Sequence, residues 1–157
     1  MPARQTIVAV SFDESTIRRG SRNAEHERRV AAVDFANDNH FAPVGGFDGP
    51  YDLRLSVREH RLVFDVRSPD GAALTEFSLP LRPLRTLFKD YKLICDNYVQ
   101  AIKSQPASKI EAIDMGRRAL HNEGAESLQN RLRANACIDD GTARRLFSLI
   151  YAIVSRD

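Results

Sequence analysis

Apolar and polar residues alternate most cleanly between residues 51 and 67. Tyr51, Leu53, Leu55 and Val57 share one face of an extended chain, with Asp52, Arg54, Ser56 and Arg58 on the other. Leu62, Phe64 and Val66 repeat the pattern after only Glu59-His60 between Arg58 and Arg61, which predicts a β-hairpin. A two-residue turn sets Leu55 opposite Phe64, Leu53 opposite Val66, Arg54 opposite Asp65 and Asp52 opposite Arg67. A slip of one residue would turn every apolar side chain to the wrong face, so this register is strongly specified. Pro69-Asp70-Gly71 then supplies turn chemistry, and Ala73, Thr75, Phe77 and Leu79 alternate inward as a third meander strand.

Ahead of this meander, residues 6 to 12 predict a strand covered on both faces, with Val8, Val10 and Phe12 on one side and Ile7 and Ala9 on the other. Residues 13 to 22 are polar, include Arg18-Arg19, and read as a solvated loop. Asn23 is placed to cap a helix over 24 to 37, in which His26, Val30 and Val33 face one way and Ala31 and Phe35 another. After Phe41 to Val44, Gly45, Gly46, Gly49 and Pro50 make residues 45 to 50 a loop.

Beyond residue 80 the period changes from two to 3.6. Pro83 suits a first helical turn, and Leu84, Leu87, Phe88, Tyr91, Ile94, Cys95, Tyr98 and Ile102 form one stripe that stops at Gln105-Pro106. Ser108 is placed to cap a further helix with the stripe Ile110, Ile113, Leu120, Leu128 and Leu132. Asp139-Asp140-Gly141 leads into a last helix on which Leu146, Phe147, Leu149, Ile150, Tyr151, Ile153 and Val154 occupy most of the circumference. Such a helix must be covered on several sides, at the centre of the domain or by a second copy of the chain. The expected fold is α+β: an N-terminal antiparallel β-meander with one early helix over 5 to 80, then a C-terminal bundle of three to four helices over 82 to 155 packed on the sheet. The whole of 1 to 157 is one domain.

Composition narrows the functional classes. A chain of 157 residues, 43% hydrophobic and 28% charged, is ordinary globular usage and buries roughly two thirds of its unfolded surface. A net charge of +2 does not point to nucleic acid, and the outer face of the hairpin, with Arg54, Arg58, Arg61 and Arg67, lacks the aromatics on which bases stack. Ile7-Val8-Ala9-Val10 is too short for the core of a signal peptide, and the longest other apolar run, residues 149 to 154, falls far short of the roughly 18 residues of a membrane span. Cys95 and Cys137 lie far apart without metal-ligand spacing, so they read as reduced thiols of a cytoplasmic protein. Neither a metal nor a cofactor is expected, since GxGxxG, P-loop, HExxH and GxSxG patterns are all missing.

Candidate chemistry concentrates between residues 115 and 124, Met-Gly-Arg-Arg-Ala-Leu-His-Asn-Glu-Gly. At about 100° per residue, Arg117, His121 and Gly124 share the arc of Ile110, Ile113, Leu120 and Leu128 and are expected to point inward. A buried arginine that loses its partner costs ~3 to 5 kcal/mol, so Arg117 must meet a carboxylate, a cluster of carbonyls or a bound anion. In one reading Arg117 and His121 tie the helix to its neighbour, with Gly124 allowing close approach. In the other they line a pocket for an anionic small molecule, Arg117 and Arg118 clamping it and His121 or Glu123 acting as acid or base. Glu25 and His26 are further candidates to assist such a site, Glu25 in binding and His26 as acid or base; on an arginine-rich helix, with Glu27 beside them, the plainer reading is a solvated ladder of ion pairs.

Several strings give the chain a resemblance: Glu25-His26-Glu27-Arg28, Gly49-Pro50-Tyr51, Lys89-Asp90-Tyr91 with Ile94-Cys95, and Ile110-Glu111-Ala112-Ile113-Asp114-Met115-Gly116-Arg117-Arg118. Leu120-His121-Asn122-Glu123-Gly124 and Thr142-Ala143-Arg144-Arg145-Leu146-Phe147 extend it to nearly full length. The chain resembles the family numbered 0262 in the series of uncharacterised protein families, chiefly alphaproteobacterial. That resemblance implies a bacterial, cytoplasmic protein and brings no activity, ligand or catalytic residue with it. The first expectation for function is therefore a non-enzymatic binding or regulatory module, self-associating through its apolar C-terminal helix. The alternative is a small enzyme or ligand-binding protein acting on a phosphorylated or carboxylated compound through Arg117, His121 and Glu123.

Overall fold

The computed structural model describes residues 4 to 18 and 20 to 155; Arg19 of the predicted solvated loop lies outside them. The elements run β1 (Ile7–Phe12), α1 (Arg22–Asn37), β2 (Phe41–Pro43), β3 (Tyr51–Arg58), β4 (Arg61–Arg67), β5 (Ala73–Pro80), a 3-10 turn (Arg82–Leu84), α2 (Arg85–Ser104), α3 (Ala107–Leu132), β6 (Ala136–Ile138) and α4 (Asp140–Val154). This is the expected α+β arrangement, with the sheet built early and the helices late.

The main sheet has the order β1-β3-β4-β5. All four predicted cross-strand pairs are present, from Asp52 opposite Arg67 to Leu55 opposite Phe64. The ion pair within this set runs along one strand, Arg67 Nε to Asp65 Oδ2 at 3.0 Å. At the hairpin turn Glu59 and His60 both take positive φ, 51° and 61°, the primed geometry that matches strand twist and that Asn-Gly adopts most readily. β3, β4 and β5 form the predicted antiparallel meander, whereas β1 lies parallel to β3. The crossover through α1 permits that parallel pairing.

β1 departs from the expectation that both its faces are covered. The register slips between Ile7 and Ala9, so Ile7, Val10 and Phe12 oppose Tyr51, Leu53 and Leu55 while Val8 is left 39% exposed. A one-residue bulge on an edge strand breaks simple alternation. α1 is capped by Ser21, whose Oγ accepts from Ala24 N at 3.1 Å, two residues before the expected Asn23. Its buried face is Ala24, Arg28, Ala32 and Phe35, and Val33 on the expected stripe is 57% exposed. Small alanines let α1 lie close to its neighbours, which decides the face that two valines failed to decide.

Residues 45 to 50 are the expected loop, and just ahead of it β2 pairs antiparallel with β6, Phe41 opposite Ile138, a ribbon the sequence pattern did not predict. His40 N donates to the Thr142 hydroxyl at 2.8 Å, and Gln129 Nε2 donates to Ile138 O at 2.8 Å, locking this ribbon to α3 and α4. α2 carries the predicted stripe, except that Ile102 is exposed where residues 102 to 109 form an open helical turn-around. α3 starts at Pro106 without a side-chain cap, so Ser108 lies inside the helix and does not cap it. α4 is capped by Asp139, which accepts from Thr142 N at 2.8 Å.

α4 packs between α1 and α3. Its Leu146, Phe147, Leu149 and Ile150 join Leu53, Leu55, Leu62 and Phe64 of the sheet in one core. The cover that an all-round apolar helix demands is thus met within the chain. No helix among the described residues is long and apolar enough to cross a membrane.

Candidate functional site

The predicted cluster on α3 is anchored by two close helix contacts. A Cβ on Gly116 would sit 2.9 Å from Ile94 Cδ1 of α2, and one on Gly124 would overlap the Phe147 ring of α4. Glycine at 124 is what brings Phe147, itself stacked on Phe88 at 5.1 Å, against α3.

Arg117 is less buried than its place in the stripe implies, with 30% of its side chain exposed. The side chain lies instead along α2, at the edge of the packed stripe. The guanidinium finds a carboxylate on its own helix, bonding Asp114 Oδ1 through Nε at 3.0 Å and Nη2 at 2.7 Å. It also lies 5.6 Å from the centre of the Tyr98 ring, a cation–π contact. Arg118 bonds the other Asp114 oxygen at 3.0 Å and is otherwise exposed. Hydrogen bonding from Arg117, with the charges of Arg117 and Arg118, holds the Asp114 carboxyl below the usual carboxylate range. One acid therefore satisfies both candidate clamps.

His121 does point inward. Its Nε2 lies 2.9 Å from Ser148 Oγ of α4, and its ring meets Phe147 edge-on at 4.9 Å and Tyr91 at 5.6 Å. Burial, then the charges of Arg117 and Arg144, push its pKa down, so the imidazole is neutral at pH 7. A Ser–His contact is half of a nucleophile–base pair, but its setting among the described residues differs from a triad's. The charges acting on His121 are cations, where a triad places a carboxylate. Ser148 lies inside α4, whose backbone N–H groups serve the helix and cannot form an oxyanion hole. Burial likewise pushes the Cys95 thiol up, as expected of an inert packed cysteine.

The remaining candidates do not converge on His121. Glu123, two residues on and thus about 200° round the helix, is exposed and lines a shallow depression with Glu126, Asn130 and Arg131. His26 is exposed on α1 and borders a groove of about 450 Å³ whose far wall includes Ser148 and Arg145. Glu25 borders a separate 170 Å³ hollow with Glu14, Arg28 and Arg29. Among the described residues no group of three or more His, Cys, Asp or Glu is placed to hold a metal ion.

Two features escaped the sequence reading. The deeply buried arginine is Arg28, 2% exposed, whose Nη2 donates to Arg18 O at 3.3 Å while its Nε has no partner among the described residues. Its position on a face otherwise made of Ala24, Ala32 and Phe35 is the signal that could have found it. The second feature is a groove of about 650 Å³ between the β3–β4 turn, the start of α2 and the end of α4. Val57, Leu81, Phe88, Tyr151 and Val154 supply its apolar lining, and Arg82, Arg85 and Lys89 border it. Lys92 continues this wall with its ammonium 3.0 Å from Asp96. The signal was a basic i, i+4, i+7 stripe, Arg85, Lys89 and Lys92, beside the apolar one.

Comparison with known proteins bears on this geometry without assigning it a role. The profile described as "Uncharacterised protein family (UPF0262)" matches residues 4 to 156. A UPF0262 protein of Rhodopseudomonas palustris (strain BisB18) is 49% identical over 151 residues, 96% of this chain and 93% of the relative. Those of Nitrobacter winogradskyi and Maricaulis maris (strain MCS10) are each 48% identical, covering 96% of this chain and 90% and 94% of the relatives. No solved structure matches the chain significantly. With the profile spanning almost every residue and relatives near half identical end to end, the chain belongs to the Uncharacterised protein family UPF0262.

Proposed function

We propose that the protein is a cytoplasmic, non-enzymatic binding module. The observation that carries this reading is the fate of the acid–base cluster on α3: Arg117 and Arg118 are engaged by Asp114, His121 by Ser148, and Glu123 faces away. Chemistry on a bound compound needs a nucleophile or base, its orienting partner and a charge stabiliser around one point, and these side chains are spread over separate surfaces. Concave apolar space with few polar groups along its edge suits recognition. The free thiols Cys95 and Cys137 fit a reducing compartment.

The test is retention without conversion. The full chain is incubated with the small-molecule fraction of a bacterial extract, washed and heated to release what it holds, and the compound is identified by mass and added back. The expected result is a raised thermal midpoint, with about 2.7 kcal/mol of stabilisation at a ligand concentration of 100 Kd, and a compound of unchanged mass after long incubation. A product of different mass, or no retained compound, overturns the reading.

A further inference from the structure

Resting on the reading of the protein as a binding module, we infer that the groove between the β3–β4 turn, α2 and α4 takes a monomeric amphipathic anion: a carboxylate or phosphate head on Arg85 and Lys89, and an apolar body on the floor of Phe88, Tyr151 and Val154. Its 650 Å³ lies within the range of small-molecule pockets. The lining is divided by chemistry, which fixes the ligand's polarity from end to end. Arg85 and Lys89, one helical turn apart on α2, project along one wall. Among the described residues neither they nor Arg82 enters an ion pair, in contrast to Arg117, Arg118 and Arg145. Guanidinium and ammonium groups beside an apolar surface bind a carboxylate or phosphate more strongly than they do in open water, because part of the hydration is excluded.

The opposite side is apolar and held in place by the fold. Leu81 N donates to His60 O at 3.0 Å, tying the hairpin turn to the entrance of α2. Tyr151 packs edge-on against Tyr91 at 4.9 Å. Burial pushes the Tyr151 phenol well up, so it keeps its proton and adds no negative charge to this wall. An inorganic anion would leave the floor wet, and a neutral hydrocarbon would leave the cations unmatched. Only a molecule with both parts fits.

The experiment titrates the full chain with decanoate, decyl phosphate, decanol and inorganic phosphate, each below its aggregation threshold, by calorimetry and by amide chemical-shift mapping. Decanoate and decyl phosphate are expected to bind saturably and to shift Val57, Leu81, Val154 and their neighbours. Decanol and phosphate are expected to bind at least about tenfold more weakly, the scale of a charge-assisted hydrogen bond. The double variant Arg85→Glu, Lys89→Glu is expected to lose at least about tenfold in affinity for the two anions while keeping the wild-type thermal midpoint. Decanol binding as well as decanoate, or anion binding unchanged in the double variant, overturns the inference. So does co-sedimentation with phosphatidylglycerol vesicles without binding of monomeric decanoate, since the surface would then read a membrane. A retained compound that binds wild type and double variant equally sinks the groove and leaves the binding module standing. Decanoate bound here and chemically altered does the reverse.

Discussion

Two basic helix faces of this protein, close in composition, meet opposite fates. On α3, Arg117 and Arg118 sit three and four residues after Asp114, and the fold closes them into a local ion-pair cluster over Tyr98. On α2, Arg85 and Lys89 flank Phe88 at the border of a groove and meet no carboxylate among the described residues. The difference teaches that a cation's neighbours one turn back along its own helix decide whether it serves the fold or remains for a ligand. Charge count alone does not separate the two cases.

The sharpest way to break the comparison is at the contact that holds the α3 face together. Gly124→Ala should destabilise the protein by about 2 kcal/mol, read from the urea midpoint, because fully buried Phe147 has nowhere to retreat. The helix propensity gained from alanine opposes this only in part. An unchanged midpoint would mean that α3 and α4 are not in close contact, and the setting of His121 would be lost with them.

Arg117→Ala and Ser148→Ala should each cost about 1 kcal/mol, the first by removing an ion pair and a ring contact, the second by leaving the half-buried His121 imidazole without its partner. Arg85→Ala with Lys89→Ala should leave the midpoint where it is. Equal losses in the two sets would erase the distinction between anchoring and recruiting cations.

A gain is expected at the rim of the groove. Glu59→Asn with His60→Gly places in the turn the residues that tolerate its positive φ values and should stabilise by about 1 kcal/mol. Shift mapping of the same variant shows whether the turn shapes ligand binding.

The smallest effect is on pH dependence. The folded-state pKa of His121 lies below its unfolded value, so between the two the unfolded chain holds more protons and stability falls as the pH drops below about 6.5. Its contribution is fully present above that pH. Urea unfolding at pH 7.5 and pH 5.5 should show a smaller loss for His121→Gln than for wild type; identical losses would place the imidazole in water.

Much of this architecture was legible because its signals are local. The hairpin register follows from period-two alternation around a two-residue gap, and every predicted pair is present. The stripe of α2 and the all-round apolar α4 follow from a 3.6-residue period. The candidate site was legible only in part. His121 faces its neighbour helix as its position in the stripe implies, while Arg117, on the same arc, stays part exposed and pairs with Asp114 of its own helix. Glu123 and His26 were grouped with them by chemistry, although helix geometry and a separate element keep them apart.

The order of residues by itself determined what a few neighbouring positions can decide: the hairpin register, the faces of α2 and α4, most breaks between elements, and membership of one family. Tertiary structure alone decided the parallel pairing of β1 with β3, the β2–β6 ribbon, the burial of Arg28 and the groove between the hairpin turn, α2 and α4. Each of these depends on surfaces brought together from distant parts of the chain. A periodic pattern records which face of an element is apolar; it carries no record of which other element will cover that face, or how far along it the cover extends.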